Sequence, residues 1–141
     1  EEAFILALPN MKSQEYVDLI TNHNKEAIIV DLSSDHRFDK NWEYRIPELS
    51  DPVSSKKISN PGCYASAMQF MIAPILNILD GPVNLFGISG YSGAGASPNQ
   101  RNNTELLKDN IIPYMLVKHL HEKEVQTHSY PDILFTPHVG H

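Results

Sequence analysis

The chain has 141 residues, of which 41% are hydrophobic and 20% are charged, values that are typical of a globular domain and not of a disordered or fibrous chain. Its 11 Lys and Arg are scattered and outnumbered by 17 Asp and Glu, which argues against a nucleic-acid partner. No apolar run reaches the roughly 20 residues of a membrane-spanning helix, so no membrane partner is predicted either. The single cysteine excludes an internal disulfide and a four-cysteine zinc site.

Hydrophobic periodicity predicts strands and helices in alternation, the pattern of a mixed α/β fold. In chain order the predictions are a strand at 3–8, a helix at 13–22, a strand at 27–30, an irregular connection at 39–57, a short strand at 57–59, a turn at 60–62, a helix at 63–79, a strand at 83–89, a loop with a short helix at 97–113, and a last strand from 133. Pro74 is expected to kink or stop the long helix, and Trp42 is expected to pack in a core. Strand-like runs lie close to both ends of the sequence, so we expect it to be an interior piece of a longer protein.

Cys63 follows the turn Asn60-Pro61-Gly62 and precedes the long apolar helix. A thiol at a helix N-terminus faces unpaired backbone N–H groups and the positive end of the helix dipole, and both favour the thiolate. Two interpretations stand at this point: a nucleophile, or a small buried apolar residue, which is the common state of a lone cysteine.

A His/Glu cluster at residues 119–124 is the second candidate for chemistry, because imidazole can serve a thiol nucleophile as acid or base. On a helix, His119 and His121 would point to different faces, and the alternative is a solvent-exposed, charged helix end. Val125 stands where a zinc-hydrolase helix needs its second histidine, so no metal site is predicted. The glycine-rich segment 90–95 matches neither dinucleotide-binding nor P-loop spacing and identifies no ligand by itself.

Five segments, taken in order, resemble the N-acetyl-gamma-glutamyl-phosphate reductase family over essentially the whole chain. They are Leu8-Pro9, VDLSSDHRF at 30–38, SNPGCY at 59–64, SGYSGAG at 89–95 and HLHEKEV at 119–125. The sequence departs from the family at Asn10, Ala96, Leu120 and Lys123, where the family has histidine, arginine, arginine and proline. It also lacks the glycine-rich dinucleotide-binding turn that precedes the first of these segments in the family.

The resemblance implies an α/β fold: the C-terminal half of a Rossmann-like parallel sheet, followed by the start of an α+β semialdehyde-dehydrogenase-type catalytic domain. Residues 1–62 would form part of an NADP-binding domain without its glycine-rich turn, and residues 63–141 part of a catalytic and dimerisation domain. The full-length protein is expected to be a homo-oligomer. Several segments are most similar to fungal members, which are made as a mitochondrial precursor with an acetylglutamate kinase. That kinase is therefore a candidate partner, and the mitochondrial matrix is the expected location for a fungal-type protein, with the cytoplasm expected otherwise.

The activity implied by the resemblance is reduction of an acyl phosphate with NADPH in arginine biosynthesis. N-acetyl-gamma-glutamyl phosphate would become N-acetylglutamate semialdehyde and phosphate through a cysteine thioester. The residues that match family positions are Cys63 and His121 for catalysis, Arg37, His119 and Glu124 for substrate binding, and Pro9, Ser92 and Gly93 for NADP(H). The alternatives are a related semialdehyde dehydrogenase, such as aspartate-semialdehyde dehydrogenase, and a non-catalytic α/β interaction module.

Overall fold

The computed structural model describes residues 2–141, in which seven strands form two sheets and four α-helices pack against them. The strands are β1 (Ala3–Leu6), β2 (Ile28–Asp31), β3 (Glu43–Tyr44), β4 (Lys57–Ser59), β5 (Val83–Gly90), β6 (Ile111–Pro113) and β7 (Ile133–Gly140). The helices are α1 (Ser13–His23), α2 (Cys63–Ile72), α3 (Thr104–Leu107) and α4 (Leu120–His128).

The first sheet has the order β1-β2-β4-β3, and all of its strand pairs are parallel. Helix α1 connects β1 to β2, as the strand–helix–strand pattern predicts, and it packs Val17 against Leu6, Ile29 and Trp42 in a small core. The packing role predicted for Trp42 is confirmed, since 7% of this residue is exposed. Parallel strands end at one edge, so the segments after β1, β2 and β4 lie along the same edge of the sheet.

The irregular connection predicted for residues 39–57 is wrong at Glu43 and Tyr44, which form the edge strand β3. Two residues are too few to show an alternating pattern, and β3 exists because it pairs with the end of β4. Around it, the Glu43 carboxylate accepts hydrogen bonds from the backbone N–H groups of Ser54 and Ser55 and pairs with Arg45. This edge strand brings the Tyr44 hydroxyl within hydrogen-bond distance of Glu124.

The second sheet has the order β5-β7-β6, with β5 parallel and β6 antiparallel to β7. Helices α2 and α4 cover one face and bury a core of Ala65, Met68, Ile72, Val125, Ile133 and Phe135. The other face exposes Phe86, Ile88 and Leu134. Strand β6, predicted as loop, is three residues long, ends in Pro113 and is held by pairing alone.

Helix α2 begins at Cys63 and ends at Ile72, and a 3-10 turn at Ala73–Ile78 follows. Proline lacks a backbone N–H and its ring collides with the preceding turn, so the stop predicted from Pro74 is confirmed. Within residues 2–141, no helix is long and apolar enough to cross a lipid bilayer.

Candidate active site

Cys63 stands at the first position of α2, where the chain leaves β4 through the turn 60–62. The backbone N–H of Asn60 donates to the carbonyl of Asp31 on the neighbouring strand, which fixes the start of the turn at the carboxyl edge of the first sheet. Cys63 is exposed. It is therefore not a buried apolar residue, and its thiol lies at the positive end of a ten-residue helix.

The imidazole of His121 lies directly against this turn. A Cβ atom added to Gly62 would fall 2.1 Å from His121 Nε2 and 2.3 Å from its Cδ2, so only glycine leaves room for the ring. Gly62 itself has φ −69° and ψ 156°, an extended backbone that any residue adopts. The glycine is thus required here by the close approach of His121, and that approach brings an imidazole to the residue before Cys63.

His119 and His121 do not diverge, in contrast to the expectation for two residues on one helix. His119 is the N-cap of α4 with an extended backbone, and its Nδ1 accepts a hydrogen bond of 3.1 Å from the N–H of His121. The two ring centres are 4.9 Å apart. The cap conformation therefore brings both imidazoles to one side of the helix start.

Glu124 is completely buried and accepts three hydrogen bonds. The donors are Arg37 Nη1 at 2.8 Å, the Gly62 backbone N–H at 2.9 Å and the Tyr44 hydroxyl at 3.1 Å. A buried carboxylate needs such compensation, because desolvation of an unpaired charge costs several kcal/mol. The interpretation of this cluster as a solvent-exposed helix end is wrong for Glu124, which ties α4 to the turn before Cys63.

Arg37 is also buried, with 7% of its surface exposed, and all three guanidinium nitrogens donate to the protein. Nε donates to the Asn60 carbonyl at 2.9 Å, Nη2 to the Leu32 carbonyl at 3.1 Å, and Nη1 to Glu124. The anion that Arg37 binds in this structure is the carboxylate of Glu124. Both residues were predicted to contact the substrate, and here their hydrogen bonds hold each other and the turn.

Burial, together with a smaller contribution from the positive charge of Arg37, lowers the pKa of His121 to about 4. Burial likewise lowers the pKa of His119 to about 4, with His121 as the next contribution. Both imidazoles are therefore neutral near pH 7, and a neutral imidazole can accept a proton from a thiol. Nδ1 of His121 is buried and has no hydrogen-bond partner among the described residues.

The residues predicted to contact NADP(H) lie on both sheets. Pro9 is exposed just after β1, and Ser92 and Gly93 are exposed in a 3-10 turn, Tyr91–Ala94, directly after β5. Ser92 lines an open cavity of about 890 Å³ together with Asn99 and other uncharged residues, and neither Lys nor Arg is among them. An uncharged polar lining fits a neutral carboxamide-bearing ring and lacks the cations that would neutralise a phosphate.

Sequence reasoning missed Tyr44 and treated Gly62 only as a turn residue. Tyr44 donates to Glu124 and accepts from Gln69 Nε2 at 2.9 Å, and its ring stacks on His128 with centres 3.7 Å apart. Burial raises the pKa of Tyr44, and the charge of Glu124 raises it further, so the hydroxyl keeps its proton and remains a donor. No pattern in the sequence indicated this role, because it depends on the edge strand β3.

The parallel sheet thus ends in a turn with an exposed cysteine at a helix start, and α4 of the second sheet brings a neutral imidazole to the same turn. Residues 63–141, more than half of the chain, match the family model "Semialdehyde dehydrogenase, dimerisation domain", and the chain belongs to this family.

Among curated proteins, the chain is 48% identical over 141 residues to the N-acetyl-gamma-glutamyl-phosphate reductase of Xanthomonas axonopodis pv. citri and 49% identical to that of Stenotrophomonas maltophilia. It is 46% identical over 142 residues to "Protein arg11, mitochondrial" of Schizosaccharomyces pombe. Each match covers 99% of this chain, but only 45%, 44% and 16% of the respective relatives. The predicted resemblance to this reductase family is confirmed.

Among solved structures, aspartate semialdehyde dehydrogenase II of Vibrio cholerae, complexed with ASA, has a TM-score of 0.77 at 15% identity. The match covers 99% of this chain and 51% of that chain. A second structure of the same enzyme has a TM-score of 0.74 at 16% identity, and the match covers 98% of this chain and 50% of that one. At this identity the likeness concerns the fold alone, and it confirms the predicted α/β semialdehyde-dehydrogenase-type fold class.

Proposed function

We propose that the protein containing this chain reduces N-acetyl-gamma-glutamyl phosphate with NADPH, giving N-acetylglutamate semialdehyde and phosphate in arginine biosynthesis. The observation that carries the proposal is the contact of His121 Nε2 with Gly62, beside the exposed thiol of Cys63. The substrate is supported by identities of 46–49% to proteins that include named N-acetyl-gamma-glutamyl-phosphate reductases.

In the first step, neutral His121 accepts the thiol proton of Cys63, and Sγ forms a bond to the acyl carbon. The bond from that carbon to the phosphate oxygen breaks, and phosphate leaves with the electron pair. The N-terminus of α2 favours the negative charge on sulfur. The product is a thioester, and a positioned general base of this kind contributes roughly 10²–10⁴-fold to the rate.

The second half of the reaction requires a hydride at the acyl carbon, which bound NADPH supplies. Pro9, Ser92 and Gly93 would hold its nicotinamide end, for which the uncharged lining beside Ser92 is suited. As charge develops on the carbonyl oxygen, His121 holds at Nε2 the proton that neutralises it. When the C–S bond breaks, its electron pair returns to Sγ, and Cys63 is ready for another substrate.

Arg37 and Glu124 act in this proposal by positioning. Glu124 holds the Gly62 N–H, Arg37 holds the Asn60 carbonyl, and the two are joined to each other, so the turn before Cys63 is fixed at both ends. Preorganisation of this kind matters because a displacement of about 1 Å at a reacting group can cost on the order of 10²-fold in rate. His119 remains the proposed substrate contact of the cluster.

The domain division is proposed at residues 62 and 63. Strands β1 to β4 form the first sheet, β5 to β7 form the second, and the family match begins at residue 63.

The protein is also proposed to be a homo-oligomer, which the name of the matched domain and the exposed apolar side chains Phe86, Ile88 and Leu134 support. The mitochondrial label of the Schizosaccharomyces relative supports a mitochondrial location, and acetylglutamate kinase stays a predicted partner.

The test uses the protein in its full natural length, assayed in reverse with phosphate, NADP⁺ and either N-acetylglutamate semialdehyde or aspartate semialdehyde. We expect preference for the former, no turnover in Cys63→Ala, and a loss of roughly 10²–10⁴-fold in His121→Asn. His23→Asn, an exposed histidine at the end of α1, is the matched control and should retain full activity.

Three results would contradict the proposal. Turnover by Cys63→Ala refutes the thioester, and preference for aspartate semialdehyde favours the related dehydrogenase. A thiol that reacts with iodoacetamide at pH 7 no faster than a free cysteine, in a protein without turnover, supports the non-catalytic module.

A further inference from the structure

Arg101 lies in a capped turn beside the second sheet. It lies in a 3-10 turn, Gln100–Asn102, and its N–H donates to the capping side chain of Asn99 at 2.9 Å. Its guanidinium carbon is 5.0 Å from the centre of the Tyr114 ring, and the residue lines a narrow cavity with Ser89, Gly93 and Tyr114. A guanidinium stacked on an aromatic face is oriented by that face, while its N–H edge remains available to a planar acceptor.

The charge of Arg101 has no anionic partner within residues 2–141, unlike that of the other two arginines. Arg37 pairs with Glu124 at 2.8 Å and Arg45 with Glu43 at 2.7 Å, whereas no carboxylate oxygen lies within 4.0 Å of Arg101. It is partly buried, and its side chain makes no hydrogen bond within the described residues. A partly desolvated cation without an acceptor favours the binding of an anion.

Aromatic rings connect Arg101 to the reacting residues. The centre of the Tyr114 ring is 5.9 Å from that of His119, and His119 is 4.9 Å from His121, which contacts the turn before Cys63. The positive charge of Arg101 is also one of the contributions that lower the pKa of His119. Arg101 therefore faces the region of His119, but two rings separate it from His121.

We infer that Arg101 binds the carboxylate of the N-acylated amino acid, at the end of the substrate remote from the acyl phosphate. The inference rests on the proposed function. The phosphate is bonded to the carbon that Cys63 attacks, so it must lie next to the thiol. The carboxylate is separated from that carbon by two methylene groups and the α-carbon, so it lies away from the thiol and needs a cation of its own. Arg101 is partly buried, its charge acts on His119, and it has no anionic partner among residues 2–141. Bidentate pairing with a carboxylate is the geometry that guanidinium provides.

The experiment measures protection of Cys63 from iodoacetamide by N-acetyl-L-glutamate and by its α-amide, in the full-length protein. We expect N-acetyl-L-glutamate to protect the wild type about tenfold more tightly than the α-amide does, and Arg101→Ala to abolish this difference. Arg101→Lys should restore part of it. Lys108→Ala removes an exposed charge from the same segment and is the control. The concentrations of N-acetyl-L-glutamate and of its α-amide that protect Cys63 should stay within twofold of the wild-type values. The α-amide tests the contact without any substitution, so the answer does not depend on how well Arg101→Ala folds.

Kinetics in the reverse direction distinguish the two anions of the reaction. For Arg101→Ala we expect the KM for N-acetylglutamate semialdehyde to rise about tenfold and the KM for phosphate to stay within twofold. If Arg101→Ala raises the KM for phosphate alone, or raises neither KM, the inference is overturned while the proposed function stands. Equal protection of the wild type by the acid and its α-amide overturns it as well. A wild-type protein that does not turn over this aldehyde overturns the proposed function and the inference with it.

Discussion

Gly62→Ala is expected to displace the imidazole of His121 and to leave the backbone undisturbed. The new Cβ would be 2.1 Å from Nε2, and an ordinary contact begins at 3.4 Å, so the ring must move by about 3.4 − 2.1 = 1.3 Å. Arg37 Nη1, at 2.9 Å from the same Cβ, blocks part of the space. With φ −69° and ψ 156°, alanine adopts the backbone of residue 62 without strain, so the effect is one of packing alone.

A displacement of this size should lower kcat/KM by about 10²-fold, and the overpacking should cost about 1–3 kcal/mol in the free energy of unfolding. Steady-state kinetics of the full-length protein and urea unfolding measure the two effects. Gly140→Ala is the matched control, because its Cβ would meet nothing closer than 3.8 Å and its activity should be unchanged. A Gly62→Ala protein with kcat/KM within twofold of the wild type would refute the proposed role of the His121 contact.

Two further predictions concern the buried charges. Glu124→Gln leaves the buried Arg37 without a carboxylate, so the free energy of unfolding, measured by urea titration, should fall by about 3–5 kcal/mol. Glu43→Gln, at the more exposed pair with Arg45, is the control and should cost much less. Equal losses in the two variants would contradict the buried network. The pKa values of His119 and His121, lowered from 6.5 to about 4, mean that the unfolded chain binds protons more readily than the folded one. The free energy of unfolding should therefore fall as the pH drops from about 6.5 towards 4, by up to about 2 kcal/mol per imidazole at pH 5. In the pH profile of kcat/KM, the acid limb should lie near pH 4. An acid limb at pH 6.5 would contradict the burial of these rings.

Much of the fold follows from local chemistry. Apolar runs in the sequence predict the strands β1, β2, β5 and β7, and Pro74 ends α2 wherever the helix packs. The edge strands β3 and β6 were predicted as loops, because two or three residues carry no period and only pairing with β4 and β7 makes them strands. The position of Tyr44 depends on such pairing and could not be found from the sequence.

The candidate active site likewise has features that the local sequence determines and features that only tertiary packing determines. The turn that precedes Cys63 and the helix that follows are neighbours in the chain, so the sequence by itself determined that a thiol stands at a helix N-terminus. The packing of α4 against the turn decides which imidazole reaches this thiol. The same packing brings Glu124 to Gly62, 62 positions away in the chain, and Arg37 to Glu124, 87 positions away. Only the tertiary structure decided these contacts, because burial and distance between remote segments set the charge states and partners of the groups, and neither quantity is encoded in local spacing.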